Sequence, residues 1–135
     1  MFDKGFNLYK CIMIRTPEQI EGIRMAGQLT TRCLDTVAAK IGECNNTQDI
    51  DDLVMQFCKE NACNPTCLNY EGFPKALCTS INEVVCHGIP KKEDVLEEGD
   101  IVNVDITIDK DGFYGDASRM FIIGGKTTPE KEQLV

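Results

Sequence analysis

Residues 101–112 read Ile101-Val102-Asn103-Val104-Asp105-Ile106-Thr107-Ile108-Asp109-Lys110-Asp111-Gly112, and this stretch decides how the rest of the chain is read. Its even positions from Val102 to Ile108 are β-branched and apolar, whereas Asn103, Asp105 and Thr107 are polar. Side chains along a strand point alternately to opposite faces, so the stretch is a strand with one core face and one polar face. Asp109-Lys110-Asp111-Gly112 makes a turn, and residues 113–123 return as a second strand, giving an antiparallel hairpin. A two-residue loop at Asp111-Gly112 pairs Lys110 with Phe113 and sets Thr107 opposite Asp116, with Asp105 on the diagonal. A four-residue loop from Asp109 to Gly112 pairs Ile108 with Phe113 and sets Asp105 opposite Asp116. Either register places both carboxylates on one face; a three-residue loop separates them and turns Asp116 toward the apolar side.

Upstream of the hairpin the period changes. Thr16-Pro17-Glu18-Gln19 combines an N-cap hydroxyl, Pro at the first helical position and Gln three residues after the cap, the pattern of a helix start. Ile20, Ile23, Gly27, Thr30, Leu34, Val37 and Ile41 then recur at three- and four-residue steps, one apolar stripe ending near Gly42. A second helix runs from Asn46-Thr47 as cap through Ile50, Leu53, Val54, Phe57 and Cys58 to Asn61. From Asn64 the pattern shifts to turn residues and short extended runs, Asn69 to Pro74 and Ala76 to Ile81, before Glu97-Glu98-Gly99-Asp100 turns into the hairpin. Thr128-Pro129-Glu130 repeats the helix-start pattern near residue 135. The fold expected is α+β, with two N-terminal helices packed on an antiparallel sheet in a single domain over 1–135.

Composition narrows the class. The 135 residues are 42% apolar, which supplies a core, and carry 14 basic against 22 acidic side chains for a formal charge of −8. Such a balance repels phosphates, so nucleic acid is not an expected partner. No run approaches the roughly 18 apolar residues that cross a bilayer, and the short apolar run from Cys11 to Ile14 is flanked by charge, which is not the pattern of a secretory signal. Eight cysteines without such a signal are read as reduced thiols in a cytoplasmic protein. The spacing of Cys63 and Cys67, and of Cys78 and Cys86, offers one loose pair where structural zinc uses two close ones.

The chemistry sits in the carboxylate pair and the single histidine. Two aspartates at neighbouring sheet positions repel one another unless something positive lies between them. Two divalent cations about 3.5–4 Å apart, bridged by one carboxylate, would fit and would activate a water for hydrolysis. Read from spacing alone, a solvated pair on an exposed hairpin is the commoner arrangement. His87, in Cys86-His87-Gly88-Ile89-Pro90, is in a turn-rich segment that presents its imidazole, either as an ordinary loop residue or as a group that polarises a substrate amide beside the metals.

Taken together, Asn82-Glu83-Val84-Val85-Cys86-His87-Gly88-Ile89-Pro90, Gly99-Asp100-Ile101-Val102-Asn103-Val104-Asp105 and Gly112-Phe113-Tyr114-Gly115-Asp116-Ala117-Ser118 resemble type I methionine aminopeptidases. The resemblance extends from the Thr16 helix to Gly125 and takes in Cys67-Leu68-Asn69-Tyr70-Glu71-Gly72-Phe73-Pro74-Lys75 and Cys78-Thr79-Ser80-Ile81-Asn82. It implies a metallohydrolase that removes the initiator methionine, built as two pseudo-symmetric α+β halves called a pita-bread fold, of which this chain is the N-terminal half. Asp105 and Asp116 match two metal ligands, His87 a catalytic histidine that contacts substrate, and Cys67, Tyr70, Phe73 and Cys78 the pocket for the methionine side chain. Two divalent ions (Mn, Fe, Co or Zn) are implied, weakly held by this half, because a histidine and two glutamates of the family's ligand set, and a further catalytic histidine, belong to the other half. The partners implied are the N-terminus of a nascent polypeptide, met at the ribosome, and a second half or a second copy of the chain. Glu71 departs from the family, which usually carries histidine there, and Ala76 replaces a small hydroxyl residue. A non-catalytic pita-bread module that holds a protein partner is the competing reading, and a zinc-stabilised cysteine domain using Cys63, Cys67, Cys78, Cys86 and His87 is a third.

Overall fold

The computed structural model describes residues 13–135; Cys11 lies outside the described residues. Helix α1 spans Pro17–Lys40, α2 Thr47–Glu60 and α3 Pro129–Leu134, and the strands are β1 (Asn64–Pro65), β2 (Cys78–Ile81), β3 (Ile101–Lys110) and β4 (Phe113–Ile122). Helix α1 begins on the expected capping box: Gln19 N–H donates to Thr16 Oγ1 and Thr16 N–H to Gln19 Oε1. Asn46 caps α2 by accepting from Asp49 N–H. The α+β expectation holds, with both helices on one antiparallel sheet.

Strand β3 is the centre of that sheet. Along one edge it pairs with β4 over its whole length; along the other it meets β2 through Val102 to Asp105 and β1 through Ile108 and Asp109. The alternation read from the sequence is the alternation seen: Val102, Val104, Ile106 and Ile108 are fully buried. They meet Leu34 and Val37 of α1, Ile50, Val54 and Phe57 of α2, and Leu77 in one core.

The hairpin takes the two-residue register, Lys110 opposite Phe113 and Thr107 opposite Asp116. Both central turn residues, Asp111 (φ 55°) and Gly112 (φ 81°), are left-handed, as a type I′ turn requires, and Gly112 N–H donates to Asp109 Oδ1 at 2.8 Å. The alternative four-residue loop is not formed because Asp109 and Lys110 stay in the ladder.

What brings α1 onto this sheet is a backbone contact. A Cβ on Gly115 would lie 2.5 Å from the carbonyl carbon of Ala26 and 2.6 Å from the nitrogen of Gly27, so only glycine permits the approach. Thr30 seals it, its hydroxyl lying 2.9 Å from the Gly115 carbonyl and 3.1 Å from that of Ala26. The stripe read along α1 is buried only in its C-terminal part. Ile20 and Ile23 are 46% and 41% exposed because this end of the helix reaches beyond the hydrophobic core.

Two glycine substitutions separate the contact from helix propensity. Gly115→Ala forces a methyl into the α1 backbone and should destabilise the chain by about 2–3 kcal/mol in urea unfolding. Gly27→Ala, whose Cβ meets nothing within 4 Å, should be neutral or stabilising by up to about 1 kcal/mol.

Candidate active site

With the helices on the even-numbered side of β3, its odd-numbered side carries Asn103, Asp105, Thr107 and Asp109, and β4 adds Asp116 and Ser118 to the same face. Asp105 is diagonal to Asp116, and Thr107 Oγ1 donates to Asp116 Oδ1 at 2.9 Å across the rung between them. Burial pushes the Asp105 carboxyl above its ordinary range; the Asp116 charge adds to this, and His87 opposes it. Asp105 therefore feels both other candidate groups, and its repulsion with Asp116 is the electrostatic condition for holding a cation. Among the described residues no group of three or more His, Cys, Asp or Glu is placed to hold a metal ion. Asp105 and Asp116 supply two carboxylates, the donor type a hard divalent cation takes, but short of a full ligand set.

His87 is presented by strained backbone. Its φ is 57°, left-handed and unusual for a side-chain-bearing residue. The loop is fixed immediately after it. Thr79 N–H donates to the Gly88 carbonyl at 2.9 Å and Gly88 N–H to Ser80 Oγ at 3.2 Å, so close that a Cβ on Gly88 would sit 2.0 Å from Thr79 O. Beyond buried Pro90, Lys91 N–H and carbonyl both bond the Thr47 hydroxyl at the start of α2.

Between this loop and the segment after β1 lies a cavity of about 510 Å³ lined by Cys67, Tyr70, Phe73, Cys78 and His87, with Glu71, Gly72, Pro74 and Ile89. Its volume is within the range of small-molecule sites. Cys78 is opposite Asp105 in the β2–β3 register, so the cavity and the carboxylate face meet at one rung. Cys67 is brought there by Thr66 N–H donating to the Thr107 carbonyl. Residues Asn69 to Pro74, read from the sequence as turn or extended, close into a 3₁₀ turn, Tyr70–Gly72, with Asn69, Glu71 and Gly72 all left-handed. Cys67, Tyr70, Phe73, Cys78 and His87 thus share one cavity, and Asp105 and Asp116 stand on the sheet face beside it, whereas Ala76 and Cys63 lie in the core.

One residue that the sequence reading passed over positions the far end of that turn. Asp51 of α2 is buried and accepts from Ala76 N–H at 2.8 Å and from Gln48 Nε2 at 3.1 Å, with Lys75 Nζ at 3.8 Å. The sequence carried a signal: Asp51 stands four residues after Thr47 and three before Val54, in phase with the buried face of α2.

The cysteine-domain reading is overturned by position. Cys63 lies in the core, its thiol directed at the Cys58 carbonyl, whereas Cys67 and Cys78 face the cavity and Cys86 is exposed. All seven cysteines among the described residues are free thiols. Burial pushes Cys33 and Cys78 up to about 12, which keeps them protonated.

Comparison with known proteins agrees with this fold. A methionine aminopeptidase of Haemophilus influenzae is 45% identical over 125 residues, 92% of this chain and 47% of that protein. The crystal structure of methionine aminopeptidase from Rickettsia prowazekii superposes with a TM-score of 0.85 at 40% identity, covering 92% of this chain and 49% of that one. The Thermotoga maritima enzyme gives 0.83 at 36% identity, with the same coverage. The chain spans about half the length of the relatives it matches. The model of metallopeptidase family M24 matches residues 21–135, the helices, the sheet and the carboxylate face included, and the chain belongs to that family.

Proposed function

We propose that this chain carries the methionine pocket and two of the metal ligands of a methionine aminopeptidase, which removes the N-terminal methionine of nascent polypeptides in the cytoplasm. The observation that carries the reading is the shared rung, where a cavity of soft and apolar groups opens beside a carboxylate pair. Cys67, Phe73 and Cys78 suit an unbranched thioether, since thiols and an aromatic ring are polarisable partners for sulfur. Tyr70, 65% exposed, forms the rim. The imidazole of His87, held at the mouth by its left-handed backbone, hydrogen-bonds the peptide group that follows the methionine. Asp105 and Asp116 would hold divalent cations, two in the complete ligand set, and such ions would supply the acidity that lets a water attack at neutral pH. Thr107 fixes Asp116 by occupying one of its oxygens. The non-catalytic alternative is disfavoured because a pure binding module has no use for two carboxylates that oppose each other.

We infer also that residues 1–135 act as one unit, one half of the pita-bread arrangement, and associate with a second half or a second copy. Strand β4 has a ladder partner on one edge only among the described residues, and Ile20, Ile23 and Met25 stand exposed on α1. Both are features of a surface meant to be covered.

The activity test is methionine release from a Met-Ala peptide with Mn(II) present. These residues alone should show only trace turnover, far below about 1 per second. Replacing the matching part of the Haemophilus influenzae relative with residues 13–135 should give an active chimera. Asp105→Asn in that chimera should lower kcat by about 100-fold or more. A folded but inactive chimera, or full activity after the substitution, would refute the reading.

Stability reports on the same pair. Because the carboxyl of Asp105 is raised in the folded chain, its ionisation subtracts from stability, fully above the raised value and not at all below the ordinary value of 3.8. Asp105→Asn should therefore raise the thermal midpoint at pH 7 in EDTA, and the gain should fade as pH falls toward 3.8. Mn(II) should raise the wild-type midpoint with an apparent Kd of about 10⁻⁴ M or weaker and leave Asp105→Asn unmoved.

A further inference from the structure

Glu71 is the only carboxylate among the residues lining the cavity. Among the described residues it has neither an ion-pair nor a side-chain hydrogen-bond partner; the basic group nearest in sequence, Lys75, is engaged with Asp51 and Gln48 instead. It is held in the left-handed region at φ 47° and ψ 30°, where glycine or asparagine sits with less strain. Its neighbours hold it there. Asn69 N–H donates to the Phe73 carbonyl at 2.7 Å, Tyr70 N–H to Cys67 and Phe73 N–H to Tyr70. Left-handed Asn69 and Gly72 flank the same turn. Backbone strain of this kind persists where the surroundings enforce it, and it concentrates at ligand clamps.

The placement of Glu71 says what it meets. The rung of Cys78 and Asp105 is the wall nearest the carboxylate pair, where the bond to be cut must lie. Glu71 is exposed on the 3₁₀ turn beside the rim residue Tyr70, so a peptide whose first side chain fills the cavity reaches it with a later residue at the mouth. We propose that Glu71 is a specificity residue that selects peptides carrying a lysine or arginine close behind the N-terminal methionine, an inference that rests on the pocket reading above. The chain's formal charge of −8 favours the approach of such cationic substrates.

The test is a binding titration of the full chain in EDTA, so that no turnover consumes the probes, by fluorescence anisotropy of dye-labelled peptides. The probes begin Met-Ala-Lys, Met-Ala-Glu, Met-Ala-Ser and Gly-Ala-Ser and share one neutral tail. At low ionic strength the Lys probe should bind about fivefold tighter than the Glu probe, and the ratio should shrink in 0.5 M salt, where screening is about 4 Å in range. Glu71→Gln should bring the ratio near one while keeping the preference for Met over Gly at the first position. Glu71→Asn removes the charge with a residue that tolerates left-handed backbone and should do the same, with a raised thermal midpoint. A Lys-to-Glu ratio that persists in both variants, or is absent from the wild type while Met is still preferred over Gly, overturns the role of Glu71 alone. Loss of the Met preference in the wild type overturns the pocket reading and this inference with it.

Discussion

The closeness of α1 to β4 at Gly115 is the contact on which the arrangement depends. A helix and a strand meet there backbone to backbone, with no side chain between them and the Thr30 hydroxyl bridging the gap. This contact assigns the faces of the sheet. With α1 seated on the even-numbered side of β3, the branched residues from Val102 to Ile108 become the core and the polar residues at 103, 105, 107 and 109 are left half-buried on the other face. The carboxylates share a face because the type I′ turn keeps the hairpin in register; they share a free face because the helix covers the other.

Most of this architecture was legible in the sequence because it is written in local patterns. The capping box at Thr16, the Asn46 cap and the alternation along β3 each depend on residues within a few positions of one another, and each is realised. The hairpin register was narrowed to two possibilities that agreed on the face and differed in the rung; Asp111 and Gly112 settle it by both adopting positive φ. Periodicity overreached at Ile20 and Ile23, since the spacing of apolar residues says which side of a helix is apolar and not how far the core extends beneath it.

The site was less legible because long-range contacts build it. Asn69 and Gly72 are types that tolerate left-handed backbone, but nothing local announces it at Glu71, where the geometry is held by hydrogen bonds within the turn and anchored from below by Asp51 on α2. Asp51 was passed over for a related reason: it reads as one of several acids on a helix, and although its phase puts it on the buried face, the Ala76 N–H that donates to it comes from a distant segment. The cysteines, read from the sequence as reduced thiols without a place in the fold, divide into a core group, a cavity pair and the exposed Cys86.

The left-handed corners have a consequence for how such a chain can change over time. The aspartates stand on strands, Asp105 on the one flanked on both sides, where a shift of backbone would disturb the whole sheet. His87 and Glu71 stand on loops tied down at a few points, and the side chain at such a corner projects into the cavity without supporting anything beneath it. A substitution at Glu71 leaves the β3 ladder untouched. In this layout the strands that carry the carboxylates and the corner that carries Glu71 stand under separate constraints, so that a change of side chain at the corner need not disturb the aspartates.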